Sequence, residues 1–312
     1  MVAGVAGGWG IGQTAVTLGG VTVKESILVV CLLLAVACGA APETEVPMGP
    51  VAGTVSAPDG VSIAYDVRGE GDTTLFFVHC WACDREFWRE QVDLFADDYR
   101  VVTLDLPGHG ASGTNREEWS IAGLAADVEA VVNELGLERI VLVGHSMGGP
   151  VSLLAAQRLS GRVVGVVCAD TLHNAEFQMP EAMTEMLAGR LEDDPEAFMR
   201  QFVPMMFRDD VDPALVEWVI TRALAADTEA TAALMRDFDN LDMPAAFSGA
   251  GVPIRCINAA PEGDQAQVTA IEINRRYADF DAVLIEDVGH YVQLERPEQF
   301  NEHLRAILQQ FK

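Results

Sequence analysis

Basic residues are scarce in this chain. Lys and Arg number 20 against 47 Asp and Glu, a formal charge of −27 with a pI near 4.4. That balance excludes a nucleic-acid partner, because a polyanion would be repelled and no basic stripe offsets the repulsion. Long apolar runs are lacking as well. Residues 27–37 form an apolar stretch of 11, well short of the roughly 20 residues that span a bilayer as a helix. Cysteine pairs are few. Cys80-Trp81-Ala82-Cys83 has the C-x-x-C form, but it lacks a second ligand pair and a thioredoxin-like context, which argues against a zinc site or a redox centre. No metal and no cofactor are expected. Cys168 and Cys256 lie inside apolar, strand-like runs and read as buried thiols.

Hydrophobic residues make up 50% of the sequence, enough for one large catalytic domain or a core domain with a lid. The N-terminus is a separate matter. Lys24 precedes the apolar stretch at 27–37, and small residues follow it up to Cys38, the layout of an export signal. Ala35-Val36-Ala37-Cys38 resembles a bacterial lipoprotein processing site, in which the cysteine becomes the lipidated first residue. Residues 1–38 are therefore expected to be a signal segment of lipoprotein type, with a lipid anchor at Cys38 and the protein held outside the cytoplasm on a membrane. Residues 1–22 are Gly-rich without a basic residue, which places the expected translation start near Val23. Residues 39–50 read as a flexible Pro/Gly/Glu tether.

From Val51 short β-type runs alternate with longer helical ones, the pattern of a mostly parallel sheet covered by helices on both faces. Eight strands are expected, at 52–57, 61–67, 75–78, 100–104, 140–143, 163–169, 254–258 and 282–285, the first two joined through the turn Pro58-Asp59-Gly60. Ile121, Leu124, Val128, Val131 and Leu135 recur at helical steps before Gly136. A last helix is expected over 297–311, opening on proline. Residues 172–250 break the alternation. They are helix-like throughout, punctuated by Pro180, Pro195, Pro204, Pro213 and Pro244, and read as an inserted helical cap.

Gly144-His145-Ser146-Met147-Gly148 follows a strand and opens a helix, the setting of a nucleophile elbow. Gly144 and Gly148 would remove side chains that collide there, Gly149 would allow close packing, and the helix dipole would face developing negative charge. His290, in Asp287-Val288-Gly289-His290-Tyr291 after the last strand, sits where an imidazole can take the serine proton and return it to a leaving group. His173, which opens the cap, is its one rival.

Together with Asp105-Leu106-Pro107-Gly108-His109-Gly110-Ala111-Ser112 and Gly289-His290 followed by Glu295-Arg296-Pro297, these motifs resemble those of the α/β-hydrolase fold superfamily, over 51–312. The resemblance implies an eight-stranded α/β-hydrolase fold and Ser–His–acid chemistry. It also implies an oxyanion hole built from the backbone N–H groups of Trp81 and Met147, although Cys80 stands where the related His-Gly-Trp motif has glycine. Three carboxylates compete to be the acid. Asp170, at the end of the sixth strand, comes first; Glu262 and Asp264, after the seventh, remain alternatives. Serine at the elbow argues against a dehalogenase or epoxide hydrolase. Eight methionines and six phenylalanines between 177 and 247 would give the cap a soft apolar lining suited to an acyl or aromatic ligand. The expected activity is a carboxylesterase-like serine hydrolase acting on small or medium apolar esters. A carbon–carbon bond hydrolase and a cofactor-free haloperoxidase are the enzymatic alternatives, and a non-catalytic ligand-binding surface lipoprotein is the other. No protein partner is expected.

Overall fold

The computed structural model describes residues 51–260 and 265–312. The signal segment, Cys38, the tether, Glu262 and Asp264 lie outside the described residues. Eight strands form one sheet: β1 (Val51–Ser56), β2 (Ser62–Arg68), β3 (Thr74–Val78), β4 (Arg100–Leu104), β5 (Ile140–His145), β6 (Val163–Ala169), β7 (Ile254–Ala260) and β8 (Phe280–Glu286). Their order is β1-β2-β4-β3-β5-β6-β7-β8. β1 and β2 form an antiparallel hairpin and β2 runs antiparallel to β4. From β4 onward every pairing is parallel. Each expected strand is present, because central parallel strands are buried on both faces and so read as unbroken apolar runs. β3 and β5 are buried along their whole length.

Alternate side chains of these strands feed two cores. Phe76 and Leu142 face one side with Leu124, Val128 and Val151, from α2 (Ile121–Glu134) and α3 (Gly148–Arg158). Leu75, Phe77, Val141 and Val143 face the other with Phe95, Phe300 and Leu304, from α1 (Arg89–Ala96) and α11 (Pro297–Leu308). Ser120 caps α2 by accepting from Gly123 N–H, and Gly136 just beyond it takes φ +59°, the left-handed turn that ends a helix.

Between β6 and β7 lie α4 (Glu181–Asp193), α5 (Pro195–Phe202), α6 (Pro213–Ala225), α7 (Thr228–Asp237) and α8 (Met243–Ala250). The prolines mark helix starts as well as breaks. Pro195, Pro213 and Pro244 occupy first-turn positions behind Asp194, Asp212 and Asp242, whose carboxylates accept the free N–H groups of their helices. The five helices divide in two. α8 belongs to the main body: Ala246, Phe247 and Ala250 join the core beneath α3, and Gln157 on α3 donates to Ala246 C=O. α4 to α7 bury a second cluster that includes Ala188, Phe198, Val219 and Met235 and is shared with Cys80, Phe87 and Tyr291 of the main body, while Ala230 and Leu234 of α7 join the main core. Three further helices, α9 (Gln265–Asn274), α10 (Val292–Glu295) and α11, complete the C-terminal part. Among the described residues, no helix is long and apolar enough to cross a membrane.

Candidate active site

Among the described residues, five other than glycine have positive φ: Ala82, Ser146, Asp170, Leu172 and Asp287. All lie in the turns that leave β3, β5, β6 and β8 at the sheet's C-terminal edge, the edge where such folds carry ligands. Backbone strain concentrated there is a pointer to function. Ser146 has φ +50° and its N–H donates to Ala169 C=O over 3.1 Å, which pins the bend to β6. The glycines around it have no space for a side chain. A Cβ on Gly144 would lie 2.2 Å from Gly148 O, one on Gly148 2.3 Å from Val78 O, and one on Gly149 2.5 Å from Thr171 Cγ2.

His290 follows β8 and lines the same pocket as Ser146. Its Nδ1 lies 2.6 Å from Asp170 Oδ2, so Nδ1 carries the proton toward the carboxylate and Nε2 is left as an acceptor. Asp170 is delivered by the positive-φ turn after β6, and its Oδ1 accepts Ala259 N–H over 2.9 Å. Burial alone would raise the Asp170 carboxyl; the hydrogen bond and charge of His290, then His173 and the Ala259 N–H, outweigh it and hold the group below its usual range. Asp170 is thus brought to His290, while Glu262 and Asp264, the other expected acids, lie outside the described residues. His173, the rival base, stands with Nε2 3.4 Å from the other oxygen of the same carboxylate and its Nδ1 against Gln267 and Asn258. The turn carrying His290 is clamped by Glu295, whose carboxylate accepts Gly289 N–H at 3.0 Å and Tyr291 N–H at 3.1 Å. That explains the Glu295 of the C-terminal motif.

The loop after β3 brings Trp81 to this pocket. Among the described residues neither Trp81 N–H nor Met147 N–H donates to a protein acceptor, which leaves both free for an anion. Three buried histidines wire the site, a role that sequence reasoning missed. His79 Nδ1 donates to Cys80 C=O at 2.7 Å while its Nε2 accepts Leu106 N–H at 2.9 Å. His109 Nδ1 donates to Pro107 C=O and its Nε2 accepts Ala82 N–H at 3.2 Å. His145 Nε2 donates to His290 C=O at 3.0 Å and its Nδ1 accepts from Gln293. Each ring needs one bare nitrogen, so each must stay neutral. Burial, with repulsion from neighbouring imidazoles, pushes His109 and His145 down to about 3, and burial lowers His79 too. The Asp105–Ser112 loop proves structural: Asp105 accepts Arg85 N–H and Ala111 N–H, and a Cβ on Gly110 would lie 2.3 Å from the Asp105 carboxyl carbon.

Cys80 and Cys83 form a disulfide. The C-x-x-C is therefore a covalent bridge, and it frames Trp81. Among the described residues no cluster of His, Cys, Asp or Glu is arranged to hold a metal ion.

α4 to α7 reach down to these loops. His290 N–H donates to Met206 C=O over 2.7 Å, Asp227 N–H to Gly108 C=O over 2.8 Å, and the Trp81 indole N–H to Thr231 C=O over 2.7 Å. Arg222 bonds Asp84 at 2.8 Å. A Cβ on Gly289 would stand 2.6 Å from Met206 O, so glycine is what lets the two backbones meet. The pocket is small, about 30 Å³, partly open, and walled by Trp81, Phe202, Val203, Met206, Ala223 and Tyr291. Of the methionines and phenylalanines expected to line a cleft, Phe202 and Met206 do so; Phe177, Met179, Met183, Met186 and Met205 are exposed and Phe198 and Met199 are packed in the cap core.

A mostly parallel sheet that presents a serine on a strand-to-helix bend, beneath a helical insertion, defines a class of hydrolases. The chain belongs to the alpha/beta hydrolase family, whose model matches residues 75–303. It is 25% identical over 265 residues to 3-oxoadipate enol-lactonase 2 of Acinetobacter baylyi, covering 83% of this chain and 97% of that one. It is 39% identical over 108 residues to the dihydrolipoyllysine-residue acetyltransferase component of the acetoin cleaving system of Cupriavidus necator, covering 35% of this chain. The chain spans only 29% of the length of that protein. The fold matches that of a thermophilic esterase from Thermogutta terrifontis with a TM-score of 0.72 at 24% identity, over 85% of this chain and 99% of the esterase.

Proposed function

We propose that the protein is a carboxylesterase-like serine hydrolase that cleaves small, apolar carboxylic esters through an acyl-enzyme on Ser146. The observation that carries the reading is the meeting of Ser146 and His290 on one pocket, with Asp170 Oδ2 2.6 Å from His290 Nδ1. In this reading His290 Nε2 takes the Ser146 proton as the oxygen attacks the ester carbon. The carbonyl oxygen becomes an oxyanion and accepts from Trp81 N–H and Met147 N–H, at the positive end of α3. The intermediate collapses, the alcohol leaves with the proton from His290, and water repeats the sequence on the acyl-enzyme. Asp170 keeps the imidazole in the required tautomer and offsets the charge of the imidazolium. The chemistry needs no cofactor.

A narrow apolar pocket supports short acyl groups over long ones, since drug-sized ligand sites run to about 300 Å³ and more. A compact lactone is the second reading, favoured by that same narrowness and by the likeness to an enol-lactonase along nearly its whole length. The test is direct. A fluorophosphonate probe is expected to label the wild type and not Ser146→Ala, and p-nitrophenyl acetate to be cleaved faster than the octanoate. A folded sample that neither labels nor cleaves any ester or lactone would establish the ligand-binding alternative. We further propose that the mature protein begins at a lipidated Cys38 outside the cytoplasm, which N-terminal mass spectrometry of the native protein tests.

A further inference from the structure

The peptide between Cys80 and Trp81 carries the N–H assigned to the oxyanion, and the hydrogen bonds that this peptide makes act on its other end. Cys80 C=O accepts from His79 Nδ1 at 2.7 Å and from Cys83 N–H at 3.3 Å. Because a trans peptide is planar, its N–H points opposite to its C=O. Holding the carbonyl of Cys80 therefore aims the Trp81 N–H, on the side where Cys80, Trp81 and Ser146 line one pocket. The bond from Cys83 is long and depends on a tight turn whose next residue, Ala82, has φ +53°, a conformation an alanine does not hold unaided. His109 Nε2, which accepts Ala82 N–H, supports the turn, and the Cys80–Cys83 disulfide closes it covalently, with its Cα atoms 5.2 Å apart. Both residues are buried, at 2% and 3% exposure. Cysteine at position 80 gives the loop a covalent tie that glycine could not.

We propose that the Cys80–Cys83 disulfide is a positioning device for the oxyanion hole: it locks the Cys80–Trp81 peptide so that Trp81 N–H faces the reacting carbonyl, and turnover falls when the bridge is opened. The proposal rests on the serine-hydrolase reading. Opening the bridge with dithiothreitol breaks the S–S bond; each sulfur gains one electron and one proton, and the reductant's two thiols close into its own cyclic disulfide. The two cysteines act through the Trp81 peptide and need not touch substrate.

The experiment compares oxidised wild type, Cys83→Ser and the double variant Cys80→Ala/Cys83→Ala on p-nitrophenyl acetate. Loss of a fully formed oxyanion donor costs about 100-fold or more in kcat, and a donor left free to swing is expected to cost at least about 10-fold, with KM changed by about twofold or less. Dithiothreitol, at a concentration at which thiol labelling shows the buried bridge open, is expected to lower wild-type kcat to the level of the variants and to leave the variants unchanged. A bridge that merely stabilises the fold would lower the melting temperature and leave kcat at 25 °C intact. Full kcat in folded Cys83→Ser, or equal sensitivity of variant and wild type to the reductant, overturns the proposal. Absence of all esterase activity and labelling in oxidised wild type would instead strike at the hydrolase reading beneath it.

Discussion

Three imidazoles that must stay neutral inside the fold make a quantitative claim about acid. His109 and His145 titrate near 3 in the folded protein, displaced from an ordinary value of 6.5. A histidine whose folded value is depressed leaves stability untouched above 6.5. Below it the unfolded chain binds a proton that the native state refuses, and stability falls by about 1.4 kcal/mol per pH unit per group until the folded value is reached. Between pH 7.5 and 5.0 that comes to about 2 kcal/mol for each ring, about 4 kcal/mol for the pair. His79 adds in the same direction. Against a usual total of about 5–15 kcal/mol, the loss is large and begins well above the pH at which carboxylates protonate. The assay is urea unfolding followed by tryptophan fluorescence at pH 7.5, 6.0 and 5.0, on wild type and His145→Gln. Glutamine can donate to His290 C=O but cannot titrate, so the variant should lose about 2 kcal/mol less over the interval. Identical pH dependence in the two proteins would refute the assignment of His145 as a buried neutral link.

Three other outcomes are expected. Asp170→Asn should lower kcat by about 10³-fold or more, as loss of the orienting carboxylate does in related triads, while Glu262→Gln and Asp264→Asn stay near wild type; steady-state kinetics with near-normal Asp170→Asn would reject the acid. Gly148→Ala must push a methyl group against a carbonyl 2.3 Å away, and it should abolish fluorophosphonate labelling in whatever protein still folds. Arg116 donates to both oxygens of Asp127 at 2.7 Å, and burial already holds the Asp127 carboxyl above its usual range. Arg116→Ala should therefore cost about 3–5 kcal/mol at pH 8 and less at pH 5, where the stranded carboxyl takes up a proton; a pH-independent loss in urea titrations would contradict this.

The sheet was legible because its strands need no partner information: Phe76 and Phe77 are both buried, on opposite faces, so the run at 74–78 is apolar throughout. The elbow was legible because its glycines answer to contacts within a few residues or with an adjacent strand. The acid was harder to read. Whether Asp170 or a carboxylate after β7 meets His290 depends on how two turns, 120 residues apart in the chain, bend over the sheet edge, and Asp170 reaches its place through a positive φ that the sequence Ala169-Asp170-Thr171 does not announce. The histidine wiring was hidden for a similar reason. His79, His109 and His145 bond to backbone groups, and backbone groups leave no mark on composition. The disulfide was visible as a spacing, but its chemical state was not, because Cys-x-x-Cys reads the same open or closed. The methionines misled in the opposite way: their number hinted at a cleft, yet Met179, Met183, Met186 and Met205 face solvent.

The cap meets the turn that carries His290 at several points: His290 N–H donates to Met206 C=O, Phe207 stacks on Tyr291 with ring centroids 4.8 Å apart, and Arg208 pairs with Asp287 at 3.5 Å. A helical insertion fastened there cannot swing as an independent door. Any outward excursion of the Met206 segment tugs on His290, so in the proposed reaction admission of substrate and readiness of the base are mechanically one event. Substitutions far out on α5 or α6 should then register as changes in chemical rate as much as in access.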